Sequence, residues 1–441
     1  FIMSKYLNVS KFEYFHLVNA PYKIISILFY AISIFYGCQT GYDLFKKHQN
    51  EIKSIESKNS DFENKMLVQY DELEQGLIEK PRRDPTVPYW AIWNTPSYAL
   101  KNPSAMIVFS TGQAEQYGYY KKVTNWSTIF DNDLAEEIAN PERLALGTLD
   151  FGFVLLFLTP ILLIILLFNI GGLEKDNGFD KLIYLNDISK KAWLATRFSY
   201  YFLIVFTLIC FLLVPYAILS GALKNELTSF FTLLATIFLY VLLWTSVFYL
   251  INYWGKGSVD QAIKMISVWV VLSIIMPGLF HQITSIKFST NYMVDYLDVA
   301  RDQRYEIFDM STDTLQKELL MSFPMLKNST YAQDTTIDKG IVNRSISGLV
   351  NVLNKKAAVK IEKESELKNN YVRSTLILNP LMYFENKINE ISRTDYYAYR
   401  RFRENIQNTI DKKIEFILRD TWNREEVDKE RYIGYLQEFK N

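Results

Sequence analysis

The chain has 441 residues, 49% hydrophobic and 22% charged, and its 48 basic residues balance 48 acidic ones. A neutral balance gives no electrostatic reason to bind nucleic acid. The two cysteines, Cys38 and Cys210, lie inside apolar runs and the three histidines are scattered, which argues against a disulfide framework or a zinc site.

The averages conceal a strong segregation: apolar residues pool in long runs and charges pool between them. A bilayer core about 30 Å thick needs roughly 20 mainly apolar residues in a helix. Five runs meet that length, at 22–42, 151–170, 198–219, 227–253 and 265–283. The first is too long, and lacks the small-residue site, for a cleavable signal peptide. Tyr42, Trp193, Tyr200, Tyr253 and Trp254 gather near run ends, as interfacial anchors do. Pro160, Pro215 and Pro277 fall inside or near the ends of runs and predict kinks.

Lys5, Lys11 and Lys23 precede the first run, Lys175, Lys181, Lys190, Lys191 and Arg197 separate the second from the third, and Lys256 and Lys264 separate the fourth from the fifth. The positive-inside bias therefore predicts a cytoplasmic N-terminus and places both long connecting segments on the opposite side. The chain divides accordingly: 1–42, an N-terminal interfacial helix and the first span; 43–148, a first extracytoplasmic segment; 149–283, spans two to five with a cytoplasmic helix near 172–190; and 284–441, a second extracytoplasmic segment. The fold class expected is an all-α membrane protein with five transmembrane helices, a sixth expected after the C-terminus, and a large, mainly helical extracytoplasmic domain.

In the first outer segment Ile52, Ile55, Phe62, Met66 and Leu73 are spaced for one face of a long helix, which the stretch 81–90 (PRRDPTVPYW) should break. A second helix is expected around 131–138, with Asp131 or Asn132 as its cap. In the second outer segment helices are expected at 312–320, 342–366 and 381–420. The cluster Tyr396, Tyr397, Tyr399, Arg400, Arg401 and Arg403 reads first as a packed helix with snorkelling arginines, and second as a contact for lipid head groups or a carried partner.

Candidate chemistry is sparse. Gly255-Lys256-Gly257-Ser258 has part of a phosphate-binding loop but lacks the first glycine and a preceding strand, so the chain itself is no ATPase. The pairs Glu136-Glu137 and Glu425-Glu426 read as solvated. No run carries Asp, Glu, Lys or Arg near its centre, which argues against an ion-coupled transporter and against a membrane-embedded enzyme.

The loop after the second run is the most informative stretch: Glu174, Gly178, Leu182 and Leu185, then Lys190 and Arg197 leading into the third run. In that order it resembles the ABC-2 family of ABC-transporter permeases, with departures at Phe179-Asp180 and Asn186-Asp187. In the outer segments, Asn102-Pro103, Phe109 to Gln113, Tyr119-Tyr120, 140–147, Asp150-Phe151, Asn379-Pro380, Arg393 to Asp395 and Arg401-Phe402 resemble members with large outer domains, including the type encoded with nitrous oxide reductase maturation.

The resemblance implies a permease subunit of a bacterial ABC transporter in the inner membrane, exporting a cargo or working on an envelope partner. It implies that Glu174, Gly178, Leu182, Leu185 and Lys190 belong to the element coupling to the ATPase. The chain would hold no cofactor, with ATP and Mg on separate ABC ATPase subunits. Its partners would be those ATPases, a second permease subunit (identical or homologous), membrane lipid and a periplasmic protein. The alternative is a membrane-anchored scaffold or receptor that binds a periplasmic partner without transport. An interfacial amphipathic loop is the simpler reading of Leu173 to Leu185.

Overall fold

The computed structural model describes residues 2–115, 117–130, 149–179, 189–288, 302, 304–334 and 336–439. They are mostly helical, with one antiparallel ribbon of Tyr98–Leu100 (β1) and Tyr120–Lys122 (β2) that sets Ala99 opposite Lys121.

Helix α1 (Ile2–Val18) turns at Asn19-Ala20 into α2 (Pro21–Glu74), which begins on a proline, where no backbone N–H is needed. The first predicted span and the predicted outer helix are thus one rod of 54 residues, about 80 Å long. It stops before the prolines, at Gln75 and Gly76, whose φ of +68° suits glycine. Ile52, Ile55 and Met66 are buried as their spacing predicts, but Phe62 is exposed.

Four helices are long and apolar enough to cross a membrane: α2, then α6 (Lys190–Leu219), α7 (Leu227–Trp254) and α8 (Ser258–Lys287). The run at 151–170 gives a shorter apolar helix, α4 (Phe151–Leu167), following the short α3 (Pro88–Trp93) in chain order. Leu155, Leu163, Leu166 and Leu167 of α4 are wholly buried among its neighbours, which explains why its sequence is apolar all round.

Two of the three prolines follow a π-helical turn, Val154–Leu158 before Pro160 and Val271–Ile275 before Pro277. A proline lacks the N–H that its helix needs and crowds the carbonyl four residues back, and a wider turn relieves both. For Pro160 that carbonyl belongs to Leu156, and the Tyr240 hydroxyl of α7 donates to it at 2.5 Å.

Gly37 and Gly41 let α2 approach other backbone. A Cβ on Gly41 would lie 2.3 Å from the Val108 carbonyl oxygen, and one on Gly37 2.7 Å from the backbone of Asp150 and Phe151. The i, i+4 spacing puts both on one face, as in close helix crossings.

At one end of the bundle, the domain end, stand the segments before α4 and after α8. One core there joins α9 (Thr312–Ser322), α10 (Lys339–Thr375) and α12 (Tyr396–Trp422) around Trp422, whose indole N–H donates to Ser345 Oγ at 2.9 Å. A second core closes the far tip of α2, where Met66 and Tyr70 pack with α3 and with α13 (Lys429–Phe439).

The helix expected at 381–420 is broken. Asn379 caps α11 (Pro380–Ser392), Arg393 takes a left-handed conformation at φ 55°, and Asp395 caps α12. The break lets α11 leave the domain core. Its apolar face, Leu381, Phe384, Ile388 and Ile391, joins the core of the helix bundle instead. Phe384 meets Tyr240 edge to face at 4.9 Å, and Tyr240 is the midpoint of α7. Helices α10 and α11 therefore form a hairpin whose tip reaches halfway down α7. The helices expected at 312–320 and 342–366 appear as α9 and the longer α10, whereas 131–138 lies outside the described residues.

Candidate functional site at the loop end of the bundle

At the opposite end, α4 gives way to turns and the single helical turn α5 (Leu173–Asp176), which ends at Asn177 and at Gly178, with φ +72°. Among the described residues nothing lies within 4 Å of where a Cβ on Gly178 would stand, and its positive φ makes the glycine serve the backbone turn.

Each charged residue of this stretch is tied to the bundle. Glu174 accepts from Arg197 Nη1 at 2.6 Å, and the same nitrogen donates to the Ile170 carbonyl at 2.9 Å. Arg197 Nε faces Glu13 of α1 in a second ion pair, and both side chains are about 95% or more buried. Lys175 Nζ donates to the Gly255 carbonyl at 2.6 Å, and Asp176 Oδ2 accepts from the Ser258 amide at 3.1 Å. The Gly171 amide donates to Asn252 Oδ1 at 3.0 Å. Lys190 Nζ donates to the Tyr253 carbonyl at 2.5 Å and lies 4.7 Å from the centre of that ring.

Next to the ion pairs, Lys23 Nζ donates to the Leu166 carbonyl at 2.9 Å and to Tyr201 Oη at 3.0 Å. Burial pushes the Glu174 carboxyl above the usual carboxylate range, against the opposing pull of Arg197. Burial, then Lys23, holds the His16 imidazole below its ordinary value. Among the described residues Glu174 Oε2 is buried without a hydrogen-bond partner.

Of the residues singled out from sequence, Glu174, Gly178 and Lys190 occupy this end. Leu182 and Leu185 lie outside the described residues. Arg197 is the hub. Sequence reasoning missed Glu13, Lys23 and Asn252, although a lone Lys23 opening an apolar run was a usable signal. Nothing local could have paired Glu13 with Arg197.

Of the motifs quoted from the two outer segments, Phe109 to Gln113, Asp150-Phe151 and Arg393 to Asp395 meet at the domain end, Asn379-Pro380 stands at the tip of the α10–α11 hairpin, and 140–147 lies outside the described residues. Ser110 Oγ donates to Asn389 Oδ1 at 2.6 Å, Ser392 Oγ to the Met106 carbonyl at 3.0 Å, and the Gln113 amide to the Thr394 carbonyl at 3.1 Å. Asp150 accepts from the Thr111 amide at 2.8 Å and, through its other oxygen, from the Phe153 amide at 2.7 Å, capping α4. These residues build a joint between the two segments and the start of α4. Compared with models of known families, with curated proteins and with solved structures, the chain matches none.

Proposed function

We propose that the chain is the membrane subunit of an ATP-driven transporter of the ABC-2 type, with α4 as a fifth span beside the four longer helices. The N-terminus and α5 face the cytoplasm, and separate ATPase subunits dock on the stretch from Glu174 to Leu185. The single observation that carries this reading is the Arg197 hub. It fastens α1, the α5 turn and α6 into one body, so a push on the loop moves helices and does not dissipate in a slack connection. A transporter driven from outside by ATP needs that stiffness and no chemistry of its own. The resemblance in the order of Glu174, Gly178, Leu182, Leu185, Lys190 and Arg197 points the same way.

The test is purification in mild detergent from the native membrane. A co-purifying subunit that carries a phosphate-binding loop and hydrolyses ATP is expected, and Leu182→Glu with Leu185→Glu should release it. A chain that purifies without ATPase activity, or a double variant that keeps the subunit bound, overturns the reading in favour of an anchored scaffold.

A further inference from the structure

Between the C-terminal half of α10, the outer face of α11 and the start of α12 lies an open cleft of about 550 Å³. Its wall carries four cations, Arg373, Lys387, Arg393 and Arg401, against two carboxylates, Glu390 and Asp395. Both carboxylates are already engaged. Glu390 pairs with Lys387 at 3.0 Å, and Asp395 accepts from the Tyr397 amide as the cap of α12. Arg373 donates only to the Tyr397 hydroxyl, at 3.3 Å, and Arg393 and Arg401 have no ion-pair partner among the described residues. With Lys387 and Glu390 paired, three guanidinium groups thus share one cleft with the single remaining carboxylate of Asp395, an excess of positive charge. Guanidinium is the side chain best matched to phosphate oxygens.

Arg393 adds an independent sign. It occupies the left-handed position after α11 at φ 55°, where glycine or asparagine is usual and a longer side chain costs about 1 kcal/mol or more. Its carbonyl accepts from Lys101 at 3.0 Å, so the strained turn is held in place. Strain retained at a cleft is a mark of function.

The floor of the cleft is different. Leu376 and the half-exposed Tyr383 line it beside Asn369 and Asn386, and Phe384, the residue after Tyr383, meets the midpoint of α7. From Tyr383 up α11 to Arg393 is ten residues, about 15 Å, which matches half the thickness of a bilayer core. The cationic rim therefore stands at the membrane boundary of the domain end, and the apolar floor reaches toward mid-membrane.

We propose that this cleft binds an anionic phospholipid of the leaflet at the domain end, with its phosphate among Arg373, Arg393 and Arg401 and an acyl chain along Leu376 and Tyr383. The assignment requires only that the long apolar helices span a bilayer. It stands or falls separately from the docking of an ATPase.

The experiment uses the full chain in phosphatidylcholine nanodiscs doped with spin-labelled phosphatidylglycerol and reads the immobilised lipid fraction by electron paramagnetic resonance. The parent should immobilise the anionic label in preference to labelled phosphatidylcholine, and Arg393→Gly with Arg401→Gln should weaken that preference about tenfold. Arg393→Gly relieves backbone strain, so an undiminished melting temperature shows that the variant is folded. Addition of 10 mM inorganic phosphate should leave the signal unchanged, on the order of a large excess over any lipid. Equal retention by the folded variant overturns the site. Displacement by inorganic phosphate alone overturns the lipid assignment and reassigns the cleft to a soluble phosphate. A chain that does not enter nanodiscs refutes the membrane premise.

Discussion

Arg197→Met removes the hub while keeping an unbranched side chain of similar length. Glu13 and Glu174 are left facing each other, and Lys23 is committed to the Leu166 carbonyl and Tyr201. Removing one member of a buried ion pair costs about 3–5 kcal/mol because the other charge stays buried and unpaired. That loss corresponds to a fall of about 3–5 °C in the melting temperature of a chain of this size. The defect has a pH signature. Burial already raises the Glu174 carboxyl and Arg197 opposes it, so without the guanidinium folded Glu174 binds its proton more tightly than the unfolded chain does and stability falls as pH rises. The variant should be closest to the parent near pH 5 and furthest from it near pH 8. Adding Glu13→Gln and Glu174→Gln to Arg197→Met should restore more than half of the loss, because no buried carboxylate is then left without its cation. An unchanged melting temperature for Arg197→Met, or no recovery in the triple variant, would refute the argument that these charges are paired inside the bundle.

Two further outcomes follow from the geometry. Gly41→Ala should cost about 2–3 kcal/mol, since its Cβ meets backbone and not a movable side chain, whereas Gly178→Ala, which meets nothing, should cost about 1 kcal/mol for its positive φ alone; thermal unfolding of the two variants side by side checks the order. Lys413 is buried and donates to the Ile92 and Thr95 carbonyls, both at 3.2 Å, and burial holds its pKa down at about 7. Above that value the unfolded chain binds the extra proton, so stability rises between pH 7 and pH 9 by up to about 1 kcal/mol per unit. Lys413→Met should flatten that rise, which denaturation at the two pH values would read.

Length and polarity made the apolar runs legible, because a membrane-length helix is a local property of the chain. Continuity was not. A change of composition at Asp43 suggested a boundary, yet composition does not stop a helix, and α2 runs on until Gly76 offers a left-handed turn. The break between α11 and α12 had a local signal that went unused, since Asp395 is a good cap for the aromatic run after it. The periodicity of Leu381, Phe384, Ile388 and Ile391 was readable as an amphipathic face, but a face does not say which core it meets. The charged loop drew attention through Glu174, while Glu13, the other carboxylate on Arg197, stands far earlier in the chain, and pairing across that distance is set by packing alone.

The 54 residues of α2 connect the two regions where function was sought. Near its start Lys23 is bonded to α4 and α6, beside the Arg197 cluster. Between its ends, about a third of the way along, Gly37 and Gly41 press it against the start of α4 and the segment around Val108. At its far end Tyr70 sits in the second domain core, and Asp71 binds Lys429 Nζ at 2.5 Å. With about 50 Å of rod between that backbone contact and the far tip, a tilt of about 3° becomes about 3 Å at the tip. The joint of Ser110, Asn389 and Asp150 surrounds the same contact, so it fixes the pivot and not the ends. Under the proposed transport reading, closure of ATPases on the loop would therefore reach the domain end chiefly through α2. The α10–α11 hairpin, wedged beside α7, would move with the bundle instead, and α12, which lines both domain cores, would take up the difference between them.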